Sequence, residues 1–294
     1  MKFVKFKGGL GNQLFQYAFL RALQLEYDHN EVYADFSFYR NITNDSVRMP
    51  RIEQLQVVLN HAGAEILKNA CIFNHDANPN LLKSRIKVFL ERKLNRQYYY
   101  EPDRSVQDVG NLLDYTYFDG YWQSWRYLVG IEQQLKSEMV PRKAFSEKTI
   151  KTIDRAKDSE SVFVGIRRGD YLATSWAKKH YGNFGQEYFD KAIQIIKETV
   201  SNPVLYVFSN DIPWVKDNIK FDGEVRYRED DDQTSDIEEL FIMSSCKHAI
   251  IVNSTFYWWG AWLIDNPDKI IVAPKDWFAD GSPIDIVPPN WIKI

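Results

Sequence analysis

Cysteine is scarce in this sequence: Cys71 and Cys246 are the only two in 294 residues. Two thiols build neither a disulfide framework nor a four-thiolate zinc site, and the composition fits a reducing compartment. An excess of one charge is also missing. The 37 basic and 40 acidic side chains leave a formal net charge of −3. Nucleic-acid binding needs a strong basic field to displace counterions, so no nucleic-acid partner is expected. Long apolar runs are absent too. The best candidates, Ala249 to Val252 and Phe256 to Ile264, fall short of the ~18 residues that span a membrane. Met1 to Lys7 alternates charge and bulk instead of forming an apolar signal core. The expectation is a cytoplasmic protein, in which the sequons at Asn41, Asn44 and Asn253 carry no glycan.

What remains is a globular composition, 45% hydrophobic and 26% charged, which excludes a disordered or fibrous chain. At ~150 residues per domain the length suggests two domains. In the second half, Val162–Val164, Val204–Phe208, Ala249–Val252 and Lys269–Ala273 are short β-branched and aromatic runs. Such runs are buried on both faces, as in parallel sheets. Between them, Tyr188, Ala192, Ile195 and Ile196 share one helical face in residues 186–200. Ile237, Leu240, Phe241 and Ser244 do so in 235–246. Alternating strand and helix predicts a doubly wound α/β domain. The first half opens with a strand at 2–6, a glycine-rich turn and a helix from about Asn12 to Tyr27. A second strand is expected at Glu31–Ala34, and residues 50–140 read as mostly helical. Pro141 breaks the pattern and a fresh helix starts at about Ser146, which puts the boundary between domains 1–142 and 143–294.

Three segments share one layout, a strand followed by a polar or glycine-rich turn: Gly8 to Gln13, Gly165 to Tyr171, and Asn253 to Phe256. Ligands of open α/β sheets sit at the carboxyl ends of strands. The first turn lets backbone approach a ligand and exposes a helix start. It lacks the last glycine of the dinucleotide fingerprint and the Lys-Ser/Thr of a P-loop. A tight turn capped by Asn12 is the plainer alternative. Arg167 and Arg168 end an apolar strand and suit a diphosphate, which guanidinium forks bind well. Salt bridges to Asp170 or Asp211 are their alternative. Ser254 or Thr255 as helix cap would direct amides at a phosphate, or simply cap the helix. Ser209-Asn210-Asp211 ends another strand, where Asp211 either caps the helix that Pro213 begins or accepts hydrogen bonds from a base or ribose. Trp258, Trp259 and Trp262 read as helix core.

Metal ligands are not evident. The five histidines have no ligand spacing, and Asp230-Asp231-Asp232 reads as a solvated loop leading to a helix capped at Ser235. Residues 82–96 carry six basic side chains and one acidic one, Glu91, among Leu82, Ile86, Phe89, Leu90 and Leu94. Such a helix is either a solvated face or one that lies on anionic lipid.

Taken together, Gly8 to Ala18, Arg167-Arg168-Gly169-Asp170-Tyr171, Ser209-Asn210-Asp211 with Trp214, and Asn253 to Trp262 resemble the α-1,2-fucosyltransferases of glycosyltransferase family 11. The likeness runs in order from about residue 3 to 273, and residues 35–160 add little to it. It implies a GT-B type enzyme of two Rossmann-like domains, the first for the acceptor and the second for the GDP-sugar. It implies no metal and no cofactor. The reaction it implies is inversion of GDP-β-L-fucose onto O2 of a terminal galactose of a glycan, either free or lipid-linked. By resemblance Arg167 and Arg168 bind the donor diphosphate, with Arg167 essential. The family commonly has histidine where this chain has Gly165, so no role is carried over there.

Breaking the fucose–phosphate bond leaves negative charge on GDP, which Arg167, Arg168, Asn253, Ser254 and Thr255 would stabilise. Asn12 and Gln13 are expected to reach the fucose or diphosphate, and Ser209 and Asp211 the nucleoside. Asp170 is the first choice of base, although two adjacent guanidiniums favour its charged form and weaken it. Its other role is to orient the arginines. The lack of an N-terminal anchor suggests a bacterial member. Two alternatives stand: a related transferase with another nucleotide sugar or linkage, and a GDP-binding protein without turnover. An NAD enzyme fails on the missing fingerprint, and a lectin on the α/β pattern.

Overall fold

The computed structural model describes residues 1–40, 50–68, 70–72, 82–101, 106, 108–168, 175, 180, 184–228, 235–282 and 284–294. The chain divides into two compact units: Met1–Arg142 with Ile284–Ile286, and Lys143–Pro283 with Val287–Ile294.

In the first unit, β1 (Lys2–Lys5), β2 (Val32–Asp35), β3 (Tyr98–Tyr100) and β4 (Tyr117–Asp119) form a parallel sheet in the order β2-β1-β4-β3. Its helices are α1 (Leu10–Glu26), α2 (Ala64–Leu67), α3 (Leu82–Leu94) and α4 (Glu132–Glu138). All four residues of β1 are buried, including two lysines. Burial of an ammonium requires partners. Lys2 donates to the carbonyls of Leu113 and Tyr115 at 2.5 and 2.8 Å, and Lys5 to Asp119 at 3.0 Å. α1 is apolar almost all round because it is enclosed, and its Phe19 stacks on Trp122 with centroids 3.8 Å apart.

The mostly helical pattern expected for residues 50–140 needs correction. The segment contains β3 and β4 among short helices and turns. Three residues are too few to display a period of two. These strands are held by pairing across the sheet, where Tyr98 faces Tyr117 in register and their rings stack at 5.0 Å.

In the second unit, α5 (Glu147–Lys157) precedes β5 (Ser161–Ile166). Then follow α6 (Gln186–Lys197), β6 (Val204–Ser209), α7 (Ile212–Asn218), β7 (Glu224–Tyr227), α8 (Asp236–Ser244), β8 (His248–Ile251), α9 (Thr255–Leu263), β9 (Ile271–Ala273) and β10 (Ile292–Lys293). The parallel sheet runs β10-β9-β8-β5-β6-β7. Counted from β5, this is the 3-2-1-4-5-6 order of the doubly wound nucleotide-binding fold. Both units are thus Rossmann-like α/β structures, as expected. Every residue of β5 and β8 is buried, which explains their unbroken apolar runs.

The edge strands β7 and β10 escaped the sequence pattern because the first interleaves Glu224 and Arg226 and the second has two residues. α6 has the expected spacing, but its buried face is Phe189, Ala192, Ile193 and Ile196, one position round from the expected one. Trp258 and Trp259 are fully buried core. Ser235 and Glu238 form a reciprocal capping box on α8, and Ser146 caps α5. Among the described residues no helix is long and apolar enough to cross a membrane.

Candidate functional site

β5 has β6 on one side and β8 on the other, so strand order reverses at β5/β8. The crevice at their carboxyl ends is where this fold takes ligands. Gly165 pairs with Ile251 and Ile166 with Ser209. Arg167 therefore leaves the sheet one residue past Ser209's level, and Asn253 emerges two residues past Ile251. Three of the sequence motifs share one sheet edge: Arg167-Arg168, Ser209-Asn210-Asp211 and Asn253-Ser254-Thr255.

Arg168 is braced on three sides. Its guanidinium lies over the Trp214 ring, 3.7 Å from the centroid, and its Nε is 3.4 Å from Asp211 Oδ2. Its backbone N–H donates to Asn210 Oδ1 at 2.9 Å. Asp211 also accepts the Trp214 N–H at 3.2 Å as the cap of α7, and its own N–H donates to Ser209 Oγ at 3.0 Å. Ser209, Asn210 and Asp211 thus form a bracket that orients Arg168. Asp211 makes both contacts anticipated as plainer alternatives, the salt bridge and the cap. An arginine ordered before its ligand arrives loses less entropy on binding.

Beside it, Ser254 is the N-cap residue of α9 but makes no side-chain cap bond. The amides of that first turn are therefore not closed off by the cap hydroxyl, and the helix dipole favours an anion there. Asn253 is buried, and its Nδ2 donates to the Trp277 carbonyl at 2.8 Å. It anchors the end of β8 to segment 277–280 instead of pointing its amide nitrogen outward.

That segment holds a pair the sequence offered no signal for. His180 Nδ1 is 2.6 Å from Asp280 Oδ2 across 100 positions of sequence, with the ring stacked on Phe278 at 4.5 Å. Hydrogen bonds from Ser282 and then His180 hold the Asp280 carboxyl well below the usual range.

Gly165 has a steric reason. A Cβ there would lie 2.5 Å from Cγ of Tyr257. The Tyr257 ring is buried against β5, its hydroxyl 3.4 Å from the carbonyls of both Ile166 and Phe208. A side chain at position 165 is excluded because Tyr257 occupies its space.

In the first unit the glycine turn follows β1. Gly8 takes φ +82°, which favours glycine, and Asn12 packs over it. Gly9, not Asn12, is the N-cap of α1. Asn12 Oδ1 accepts from Gln123 Nε2 at 2.8 Å. Gln13 corrects an expectation. It is fully buried, its Nε2 donating to the Gly8 carbonyl at 3.0 Å and its Oε1 accepting the N–H groups of Arg51 and Ile52. It holds the turn in shape and does not project toward a ligand.

Beneath this turn Asp119 accepts from Lys5 at 3.0 Å, Lys7 at 2.6 Å and the Tyr98 hydroxyl at 2.6 Å. Burial alone would raise the Asp119 carboxyl, but Lys5 and Lys7 outweigh it and hold the group well below the carboxylate range. Burial favours neutral Lys7, and Asp119 outweighs that in turn, so Lys7 sits above the lysine range. Tyr98 and the buried Asp119–lysine cluster carried no motif.

Asp170 and Asp230–Asp232 lie outside the described residues. Among the described residues, no three His, Cys, Asp or Glu side chains gather as metal ligands. Both cysteines are free, and burial pushes the Cys246 thiol up to about 12.

Comparison with known proteins adds an independent finding. The family model for glycosyl transferase family 11 matches residues 1–294. An alpha-1,2-colitosyltransferase of Escherichia coli is 31% identical over 296 residues, covering 98% of this chain and 96% of that protein. The O-antigen biosynthesis glycosyltransferase WbnK of Escherichia coli is 26% identical, covering 98% of each. A galactoside alpha-(1,2)-fucosyltransferase 1 of Leontocebus fuscicollis is 28% identical over 163 residues, 52% of this chain and 44% of that protein.

Proposed function

This chain belongs to glycosyltransferase family 11, and on that premise we propose that it is an inverting α-1,2-fucosyltransferase of GT-B type. It moves L-fucose from GDP-β-L-fucose to O2 of a terminal β-galactose. The observation that carries this reading is the pair Arg167-Arg168 at the carboxyl end of the central strand, with Arg168 braced by Trp214 and Asp211. Cleavage of the fucose–phosphate bond builds positive charge on the sugar ring and negative charge on the departing diphosphate. Guanidiniums fixed in advance stabilise that charge without reorganising, and the first-turn amides of α9 add to it. In this reading the two arginines take the part a metal plays elsewhere, so neither metal nor cofactor is required. Asp170 either takes the proton of the galactose hydroxyl or orients the arginines.

A second reading has one observation in its favour, the 31% identity over 98% of the chain to an alpha-1,2-colitosyltransferase. Colitose is fucose without its 3-hydroxyl. A donor site that hydrogen-bonds that hydroxyl rejects the 3-deoxy sugar strongly, whereas an apolar wall there does not.

The test is to incubate the purified protein with GDP-fucose or its 3-deoxy counterpart, lactose and a chelator, and to measure GDP release and product linkage. An α-1,2-fucosylated product under chelation is expected, with Arg167→Ala lowering turnover by at least about 10²–10³. Product from the 3-deoxy donor alone selects the second reading. GDP binding without product points to a non-catalytic protein, and no GDP binding refutes the donor-site assignment.

A further inference from the structure

α3 is inverted relative to an ordinary amphipathic helix. Its one acidic residue, Glu91, is fully buried, accepting the Ile72 N–H at 2.8 Å and the Asn95 amide at 2.7 Å. Its apolar residues Ile86, Phe89 and Leu94 are instead 49%, 57% and 59% exposed. At 100° per residue, Ile86 and Phe89 lie about 140° and 160° round the helix from Glu91. The rotation of α3 is set from inside by Glu91, and on the surface the Arg92 guanidinium lies 3.6 Å over the exposed Tyr100 ring. The outward face therefore presents Ile86 and Phe89 together with Lys93, about 160° from Glu91, while Lys87 and Leu94, nearer the Glu91 side, and Arg96, just past the helix end, are exposed as well.

Exposed apolar groups set among basic ones are unfavourable in water, and clusters of this kind mark interaction surfaces. With its only carboxylate buried, the exposed face carries cations alone. We propose that α3 seats this protein on an anionic lipid bilayer. The helix lies in the plane of the interface, Phe89 and Ile86 entering the acyl boundary. Lys93, whose Nζ lies 6.0 Å from the Phe89 ring, and Arg96 extend their stems over the apolar surface and place their charges at lipid phosphates. At 1.5 Å per residue the 13-residue helix gives a contact line of about 20 Å. The inference concerns where the enzyme works and stands apart from its donor and acceptor.

The test is co-sedimentation of the full chain with vesicles of phosphatidylcholine alone or mixed with phosphatidylglycerol. Binding to the anionic vesicles only, weakened by added salt, is expected. Lys93→Gln with Arg96→Gln should weaken it about tenfold or more, and Ile86→Ser with Phe89→Ser by a similar factor. All four side chains are exposed, so circular dichroism and melting temperature should match the parent. Three results would overturn the proposal: no vesicle binding, equal binding to neutral and anionic vesicles, or anionic binding that Ile86→Ser with Phe89→Ser leaves intact. Concentration-dependent self-association lost in that same double variant would also overturn it, because a second copy of the chain would then cover the face.

Discussion

Replacing Gly165 with alanine adds one methyl group in the buried central strand of the second unit's sheet. The new Cβ would lie 2.5, 2.6 and 2.9 Å from three ring carbons of Tyr257, inside any tolerable contact. Neither side can yield easily. Gly165 sits in the central strand, paired on both sides with Ile251 and Phe208. Tyr257 lies in the first turn of α9, whose Trp258 and Trp259 are fully buried. Overpacking of this kind costs about 1–3 kcal/mol. For a unit of roughly 150 residues, at about 2–4 °C per kcal/mol, its melting transition should fall by about 2–12 °C. Tyr257→Ala should itself cost about 3–5 kcal/mol through the cavity it leaves. Adding Gly165→Ala to that variant should cost nothing further, because the ring it strikes is gone. Calorimetry that resolves the second unit's transition tests this. An unchanged melting temperature for Gly165→Ala, or a double variant whose loss is the sum of the two, would refute the steric account.

Trp214→Ala removes the surface on which Arg168 lies and should weaken GDP binding by about 0.5–2 kcal/mol, a few-fold to about thirtyfold. An unaltered Kd by titration calorimetry would mean that the bracket does not matter. Asp119→Asn leaves the buried Lys5 and the partly buried Lys7 without their carboxylate and should destabilise the first unit by about 3–5 kcal/mol, read from its urea midpoint. The folded Asp119 carboxyl titrates below its unfolded value of about 3.9, so its stabilisation is complete above about pH 4 and is lost as the pH falls. Stability of the parent should thus rise with pH through the acid range, with a shallower slope in Asp119→Asn. Ser235→Ala opens the capping box of α8 and should cost the second unit about 0.5–2 kcal/mol by the same assay.

What could be read from the sequence was what local physics writes there. A strand buried on both faces must be continuously apolar, so the four inner strands of the second sheet, β5, β6, β8 and β9, were legible as runs. Caps obey a rule spanning three or four residues, so Ser146, Asp211 and Ser235 were legible before helices α5, α7 and α8 were seen. The polar turns after β5, β6 and β8 were recognisable for the same reason: each is a contiguous segment at a strand end.

The rest depended on residues far apart in the chain. β3 and β4 exist only as a pair, and no window on either one shows it. Gln13 looked like a ligand-facing amide until the strand, turn and loop closing around it consumed its hydrogen bonds. Gly165 is intelligible only beside Tyr257, and His180 only beside Asp280. Glu91 stood out in the sequence only as the one acidic residue of a basic segment, yet it is the buried group that turns Phe89 outward. Sequence determined the type of each element and the chemistry each strand end offers, because periodicity and capping act within one element. Tertiary structure decided which of those groups are already satisfied and which are aimed at a partner, because burial and hydrogen bonding are settled only when distant segments meet.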